Sequence, residues 1–157
     1  IRGRDLTLLF TYANADTGGR VINQMIGEFV KNEPHAYAFP SLGQRRYLGL
    51  LRIADVMVGN SSSGIIEAPS FKLPVVNIGD RQRGRVRATN VIDCGVDQQE
   101  IAKALDQALS GEFRESLRGV VNPYGEGQTS SRIVSTLKQI SLGEALLKKR
   151  FKDWPCA

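Results

Sequence analysis

Apolar residues recur along this chain in two alternating patterns, short continuous runs and longer stretches with helical spacing. The short runs predict strands, because a brief apolar run between turn signals suits a strand of a buried sheet. They lie at residues 5–10, 36–39, 56–58, 74–79 and 91–93. Strands that alternate with helices pair in parallel and are covered by helices. The pattern therefore predicts an α/β fold built on a parallel sheet.

The predicted helices are the stretches in which apolar positions recur every three or four residues. The first begins near residue 17, with Asp16 or Thr17 as its expected cap. Its apolar positions are Val21, Ile22, Met25, Ile26, Phe29 and Val30. The second carries Tyr47, Leu48, Leu50, Leu51 and Ile53, and the third spans Gln98–Leu109. A fourth, capped by Ser130 or Ser131, has an inner face of Ile133, Val134, Leu137 and Ile140, and an amphipathic helix over residues 142–154 follows it.

The most informative stretch runs from residue 54 to residue 67. A strand over residues 56–58 is followed by Gly59 and Asn60, which tolerate tight turns, and then by three serines that precede a helix. Serines are good helix caps, and capping alone would account for them. The arrangement also forms an anion site, because the N–H groups of the first helical turn, the helix dipole and the serine hydroxyls all favour a negative group. A diphosphate suits such a site.

Two further features favour a nucleotide over a simple cap. Glu67 lies one helical turn beyond Ser63, where its carboxylate can accept hydrogen bonds from the hydroxyls of a ribose. The strand over residues 74–79 leads into an arginine-rich segment at residues 80–85. Because ligands of open parallel sheets bind at the carboxyl ends of the strands, Arg81 and the serines are expected to converge at one edge.

These residues carry a resemblance to a known family. The segment GNSSSGIIEAPSF at residues 59–71, followed by PVVNIGDRQRGR at residues 74–85, resembles the hydrolysing UDP-N-acetylglucosamine 2-epimerases. These enzymes supply N-acetylmannosamine to sialic acid pathways. The resemblance extends from residues 14–16 to residues 122–125. It implies two Rossmann-like domains that face each other across a cleft, the GT-B arrangement, with residues 1–157 forming the second, C-terminal domain only.

The resemblance also implies roles for particular residues. The residue that matches Asn14 reaches the nucleotide in the family, although a turn asparagine needs no ligand to explain it. The loop at Leu42 is expected to line the base pocket. The full set of expected nucleotide-binding residues is Asn14, Leu42, Ser61, Ser62, Ser63, Gly64, Glu67 and Arg81.

The family's reaction implies that this chain contributes no catalytic acid or base. The reaction removes the proton at C2 of the sugar, expels UDP and adds water with inversion at C2, which requires acids and bases around the sugar ring. In the family these carboxylates belong mainly to the first domain, and a functional histidine precedes the segment present here. The contribution expected of this chain is to stabilise the departing diphosphate through Arg81 and the helix N-terminus.

Composition and charge describe an ordinary globular domain. The 157 residues suit one domain, and 41% of them are hydrophobic and 24% charged. No apolar run approaches the roughly 20 residues of a membrane span. No signal peptide is visible, and the first residue is Ile1 rather than Met, so we expect a fragment or a processed piece. Two cysteines, Cys94 and Cys156, do not form a disulfide framework, which favours the cytoplasm.

Other chemistries find little support. The net charge of +5 is spread among acidic residues without an aromatic platform, so nucleic acid is not an expected partner. The only histidine, His35, lies far in sequence from any acid pair, and it forms no metal spacing with Cys94. No Walker lysine, G-x-G-x-x-G or G-x-S-x-G motif is present. We therefore expect no metal and no cofactor.

Three functions remain open on the sequence. The first is the UDP-binding half of a hydrolysing epimerase that forms a homo-oligomer as the full protein. The second is the donor-binding half of a glycosyltransferase with the same architecture, although the arginine-rich segment favours the epimerase. The third is a non-catalytic module that binds a nucleotide or another partner. The sequence does not distinguish UDP from GDP.

Overall fold

A computed structural model of the chain describes residues 5–14, 17–125, 127–141 and 143–148. Within these ranges the strands are β1 (Leu8–Thr11), β2 (Ala36–Phe39), β3 (Met57–Gly59), β4 (Val75–Ile78) and β5 (Val91–Cys94). The α-helices are α1 (Gly19–Asn32), α2 (Gly43–Ile53), α3 (Ser63–Ile66), α4 (Gln98–Leu109), α5 (Gly111–Ser116), α6 (Thr129–Gln139) and α7 (Glu144–Leu147). Two 3₁₀ helices lie at Ala68–Phe71 and Leu117–Gly119.

All strand pairs of the described chain are parallel, as the alternating pattern predicts. They form two sheets rather than one continuous sheet, because β1 pairs with β2 while β3, β4 and β5 pair in that order. The register places Met57 beside Val75 and Val75 beside Val91. β3 and β4 therefore end side by side, and the loops that follow them leave the sheet at the same edge.

The core of the larger sheet lies on both of its faces. Successive residues of a strand point to opposite faces, and Val75 and Val76 of β4 are both almost fully buried. On one face Val75 packs with Leu51 of α2, Ala68 and Leu73. On the other face Val76 packs with Ala104 and Ala108 of α4. This continuous burial is the reason that the strand reads as an unbroken apolar run.

The smaller sheet is covered on one face by α1. The rings of Phe10 and Phe29 meet edge to face, with their centroids 5.7 Å apart. Three alternate apolar residues of this sheet are exposed instead, namely Leu9, Tyr37 and Phe39. The alternation shows that one face of the sheet is packed and the other faces outward in the described structure.

The helix starts differ from the predicted ones. α1 begins at Gly19, after Gly18 with a left-handed φ of 84°, and no side chain caps it, so the predicted Thr17 cap is wrong. The alternative cap, Asp16, lies outside the described residues. α6 begins at Thr129, after Gln128 with φ of 62°, so Ser130 and Ser131 lie inside the helix rather than before it. A single left-handed residue turns the chain into each helix, which leaves no position for a capping serine or threonine.

The contacts of the chain divide it into two compact units, Ile1–Pro123 and Tyr124–Ala157. In the second unit, the predicted inner face of α6 is exposed, since Ile133, Val134, Leu137 and Ile140 all keep a large part of their surface accessible. Of the amphipathic helix predicted over residues 142–154, residues 143–148 are described. They contain only α7, which ends at Leu147 because Lys148 leaves the helical conformation, so the prediction of one continuous helix is wrong. None of the helices in the described ranges is both long and apolar enough to cross a membrane.

Candidate functional site

The loop after β3 is a short turn of serines, which we call the serine turn (residues 60–63). Ser62 occupies the N-cap position of α3, but its side chain accepts no capping hydrogen bond. Instead, the Oγ atom of Ser61 accepts a hydrogen bond of 3.3 Å from the backbone N–H of Ser63. The predicted capping role of the serines is therefore performed by Ser61, one position earlier than the N-cap residue.

The predicted helix after the serine turn is present but short. α3 has four residues and continues as the 3₁₀ helix at Ala68–Phe71. The N–H groups of Gly64 and Ile65 donate to the carbonyl groups of Ser61 and Ser62. The expectation that the N–H groups of the first turn bind a negative group is thus wrong for these two, which already have acceptors. A helix of one turn also carries little dipole. An anion at this turn would depend on side-chain hydroxyls and cations more than on the helix itself.

Gly64 serves close packing between α3 and β4. The residue is buried, and a Cβ atom at this position would lie 2.7 Å from the Cγ1 atom of Val75. No side chain fits in this space. The glycine therefore lets the serine turn lie directly over the end of the sheet.

The loop after β4, which we call the arginine loop (residues 79–90), is fastened to the serine turn. The side chain of Gln82 is only 3% exposed, and its Nε2 atom donates a 2.7 Å hydrogen bond to the backbone carbonyl of Asn60. Because that partner is an acceptor, the orientation of the Gln82 amide is defined. Arg81 precedes this anchor and is exposed. This hydrogen bond shows that the two loops meet at one sheet edge, through Gln82 and the backbone of Asn60.

A second set of polar contacts connects the arginine loop to β5. Arg87 forms an ion pair of 2.5 Å with Asp93 of β5 and donates a 3.1 Å hydrogen bond to the backbone carbonyl of Gln82. Asn77 of β4 donates a 2.8 Å hydrogen bond to the same carboxylate. The Asp93 side chain is 58% exposed, so the ion pair itself is worth only about 1 kcal/mol or less. Together with the hydrogen bond to Gln82, it restrains the backbone conformation of the arginine loop.

Helix α2 contacts the serine turn from the other side. The hydroxyl of Tyr47 lies 2.5 Å from the Oγ atom of Ser63, and Ser63 is only 9% exposed. Burial raises the pKa of the Tyr47 phenol, the hydrogen bond with Ser63 opposes this, and the nearby charge of Glu67 raises it further. Tyr47 is therefore protonated at neutral pH. Leu42, at the N-cap position of the same helix, is half-buried.

Of the remaining predicted residues, Glu67 adjoins this cluster and Asn14 lies in another turn. Glu67 is half-buried at the end of α3, and its backbone N–H donates to the carbonyl of Ser63. Asn14 is exposed in the turn after β1, which belongs to the smaller sheet. That turn is held by Asn23 of α1, whose side-chain amide accepts a 2.8 Å hydrogen bond from the N–H of Ala13 and donates to the carbonyl of Ala13. The hydrogen bonds of the serine turn thus join it to α2 and the arginine loop, while Asn14 occupies a separate turn.

Sequence reasoning misses the residues that assemble the site. The apolar period places Tyr47 on a helix face, and Gln82 has no distinct role within the arginine-rich motif. Asn122 is buried and donates hydrogen bonds of 2.8 Å to the carbonyl of Ile66 and 2.7 Å to the Ser70 hydroxyl. The sequence signal that could have identified these residues is a polar side chain within an otherwise apolar helix face, or within a loop that packs on a strand end.

The described residues do not suggest metal or thiol chemistry. No three potential metal ligands cluster among the described residues, and His35 is exposed beside β2. Burial, followed by the charges of Glu100 and Asp93, raises the pKa of the Cys94 thiol. A thiol with a raised pKa is a poor nucleophile near neutral pH. The site formed by the two loops and α2 is thus best suited to bind a polar, anionic molecule.

Comparison with known proteins agrees with the motifs. Residues 1–138 match the protein family described as UDP-N-acetylglucosamine 2-epimerase. The chain is 41% identical over 152 residues to a GDP/UDP-N,N'-diacetylbacillosamine 2-epimerase (hydrolyzing) of Campylobacter jejuni, a match that covers 96% of this chain and 39% of the relative. It is 40% identical to a UDP-N,N'-diacetylbacillosamine 2-epimerase (hydrolyzing) of Legionella pneumophila, with 92% of this chain and 37% of the relative covered. The chain therefore spans about two fifths of the length of these curated relatives.

Solved structures agree on the fold. A UDP-GlcNAc 2-epimerase of Methanocaldococcus jannaschii, solved in complex with UDP-GlcNAc and UDP, superposes with a TM-score of 0.67 at 21% identity. That match covers 85% of this chain and 36% of the other chain. A UDP-GlcNAc 2-epimerase from Neisseria meningitidis bound to UDP-GlcNAc gives a TM-score of 0.63 at 22% identity, with the same shares covered. These likenesses confirm the Rossmann-like α/β fold.

Proposed function

The chain belongs to the UDP-N-acetylglucosamine 2-epimerase family, and from this premise we propose that it is the nucleotide-binding part of a hydrolysing 2-epimerase. The ligand is a UDP-activated 2-acetamido sugar, and UDP is the leaving group. The acids and bases that act on the sugar come from a first domain that faces this one. The full protein is a cytoplasmic enzyme.

The observation that carries the proposal is the hydrogen bond between Gln82 and the backbone of Asn60. It joins the arginine loop to the serine turn at the ends of two parallel strands, where open α/β sheets bind their ligands. Hydroxyl groups from one loop and guanidinium groups from the other can then approach the same diphosphate. Such a site binds UDP and also favours its departure, because charge that develops on the leaving diphosphate is stabilised.

The predicted residues other than Ser63, whose hydroxyl lies against Tyr47, divide three kinds of task between them in this proposal. Arg81 neutralises the diphosphate, while Ser61 and Ser62 donate hydrogen bonds to it. Glu67 accepts hydrogen bonds from the ribose hydroxyls, and Leu42 and Asn14 lie toward the base and the facing domain. Gly64 lets the serine turn approach the strand end, as its packing against Val75 requires.

Two sugars are candidates for the substrate. UDP-N-acetylglucosamine, converted to N-acetylmannosamine and UDP for sialic acid synthesis, is the first. UDP-N,N'-diacetylbacillosamine is the second, and it is favoured by the identity of 41% to the Campylobacter relative against 33% to a UDP-N-acetylglucosamine 2-epimerase of Neisseria meningitidis. Both share the UDP group and the 2-acetamido group, so the nucleotide-binding part proposed here serves either one.

The experiment that tests the site is a calorimetric titration of the 157-residue chain with UDP, GDP and inorganic phosphate. Binding of UDP is expected, with an affinity weakened by the absence of the facing domain. The Arg81→Ala variant should lose more affinity than Ser61→Ala, because a charge-assisted hydrogen bond is worth about twice a neutral one. Arg45→Ala, at an exposed arginine of α2, is the matched charge control. No nucleotide-dependent heat up to millimolar concentration would refute the proposal.

A further inference from the structure

The hydrogen bond between Tyr47 and Ser63 connects two elements of the proposed site. Tyr47 belongs to α2, whose N-cap residue Leu42 lies on the base side of the proposal, while Ser63 closes the serine turn. The two oxygen atoms are 2.5 Å apart, and the residues are 16 positions apart in the sequence. The side chains of the helix and the turn are therefore linked directly.

The position of Ser63 makes this hydrogen bond a constraint on the turn. Ser63 is only 9% exposed, and its side chain is committed to Tyr47. The backbone N–H of Ser63 donates to Ser61 Oγ, while the carbonyl of Ser63 accepts from the N–H of Glu67. A shift of Ser63 would therefore displace both the hydroxyl of Ser61 and the backbone of Glu67. These are the two residues assigned to the diphosphate and the ribose.

The surroundings of Tyr47 favour the phenol as a donor. The ring packs against the buried cluster of Leu51, Ala68, Leu73 and Val75, so it is held in place. The phenol is protonated near neutral pH and has one proton to donate, whereas Ser63 Oγ can accept one hydrogen bond and still donate another. Hydrogen bonds in such a chain polarise one another.

We propose that Tyr47 is a positioning residue of the nucleotide site, whose hydroxyl holds Ser63 and thereby keeps the serine turn in the conformation that binds a nucleoside diphosphate. Tyr47 acts through Ser63 and touches no ligand atom itself. This inference rests on the proposed function, because it assumes that the serine turn receives the diphosphate.

The test is the affinity of the 157-residue chain for UDP in a double-mutant cycle of Tyr47→Phe and Ser63→Ala. Each substitution removes one partner of a single buried hydrogen bond, which lowers affinity by about 3- to 10-fold when the bond holds the binding conformation. Because both remove the same bond, Tyr47→Phe in the Ser63→Ala background should cause no further loss. Calorimetry is performed well below the unfolding temperature of every variant, which thermal unfolding establishes beforehand.

Two controls separate positioning from loss of stability. Tyr37→Phe removes a phenolic hydroxyl from an exposed tyrosine of β2 and should leave UDP affinity unchanged. Ile92→Val removes one methylene group from a residue packed on the Val76 cluster. Its loss of stability is comparable with the loss of a hydrogen bond, and it should also leave affinity unchanged.

The outcomes distinguish the inference from the proposed function. Absence of UDP binding to the unmodified chain would overturn the proposed function and this inference with it. If the unmodified chain binds UDP and Tyr47→Phe binds equally well, only the role of Tyr47 is overturned. Losses that add in the double variant, or an affinity loss in Ile92→Val equal to that of Tyr47→Phe, would likewise contradict it. If Tyr47→Phe does not fold, the affinity of Ser63→Ala alone decides, since an unchanged value refutes the inference.

Discussion

Single residues in this protein act mainly by what they allow their neighbours to do. Gly64 permits the serine turn to approach β4, Gln82 ties one loop to another, and Tyr47 holds the buried serine. None of the three needs to contact a ligand to matter for binding. Their substitutions should therefore affect stability and affinity in different proportions, which makes them separable by experiment.

Gly64→Ala is expected to destabilise the fold. The added methyl group would lie 2.7 Å from the Cγ1 atom of Val75, and such overpacking of a core costs about 1–3 kcal/mol. Gly49→Ala is the matched control, because Gly49 lies inside α2 and a methyl group there would meet no atom within 4 Å. That change should stabilise the protein by about 0.5–1 kcal/mol, since alanine is the better helix former. Urea unfolding measures both, and equal stability of the two variants would contradict the packing argument.

At the scale of elements, the site is an assembly of a turn, a loop and a helix on one sheet edge. The parallel pairing of β3 with β4 brings the two loops together, and the contacts of Gln82, Arg87 and Asp93 then determine the shape of the second loop. Each of these hydrogen bonds is modest by itself, about 0.5–1.5 kcal/mol. Acting together they connect the loop that carries Arg81 to the serine turn and to β5.

Gln82→Leu should weaken UDP binding by about 3- to 10-fold, because the lost hydrogen bond releases the arginine loop from the serine turn. Leucine keeps much of the buried volume, so the change in unfolding free energy should be modest by comparison with a core truncation. Gln107→Leu, at an exposed glutamine of α4, is the matched control and should not change affinity. An affinity in Gln82→Leu equal to that of the unmodified chain would show that Arg81 is positioned without this anchor.

At the scale of the whole molecule, the residue types of the proposed site suit a domain that binds a nucleotide. The single histidine of the chain is exposed, and Glu67, the carboxylate beside the serine turn, is assigned to the ribose in the proposed site. The residues of the proposed site are hydroxyls, amides and arginines, which stabilise charge rather than transfer protons at a sugar carbon. The chain also spans only about two fifths of its curated relatives.

The isolated chain is therefore expected to have no epimerase activity. A general acid or base typically contributes about 10²–10⁴-fold to the rate, so a domain without them should give no detectable turnover. The assay incubates the chain with UDP-N-acetylglucosamine or UDP-N,N'-diacetylbacillosamine and measures the release of UDP and of the free sugar. A fusion of the chain to the first domain of a related epimerase is the positive control. Steady release by the isolated chain, abolished by a substitution within it, would contradict the prediction.

The sequence by itself determined the order of the strands and of the longer helices and the family, but it did not predict α5 (Gly111–Ser116). Strand β2 and helix α4 have the predicted bounds, because the apolar period of a segment records which of its faces is buried. The motif at residues 59–85 likewise identified the family, since a long joined motif is rarely shared by unrelated proteins. It also predicted that the loops after β3 and β4 would meet, because parallel neighbours end at one edge.

Only the tertiary structure decided how the site is held together. Tyr47 and Ser63 are 16 positions apart, and Gln82 and Asn60 are 22 positions apart, so no local period records these pairs. The starts of α1 and α6 depend on one left-handed residue each, Gly18 and Gln128, and a hydrophobic pattern carries no information about φ. The division of the strands into two sheets is equally a matter of which edges meet in space. Local patterns specify burial, whereas hydrogen bonds between distant residues exist only once the chain has folded.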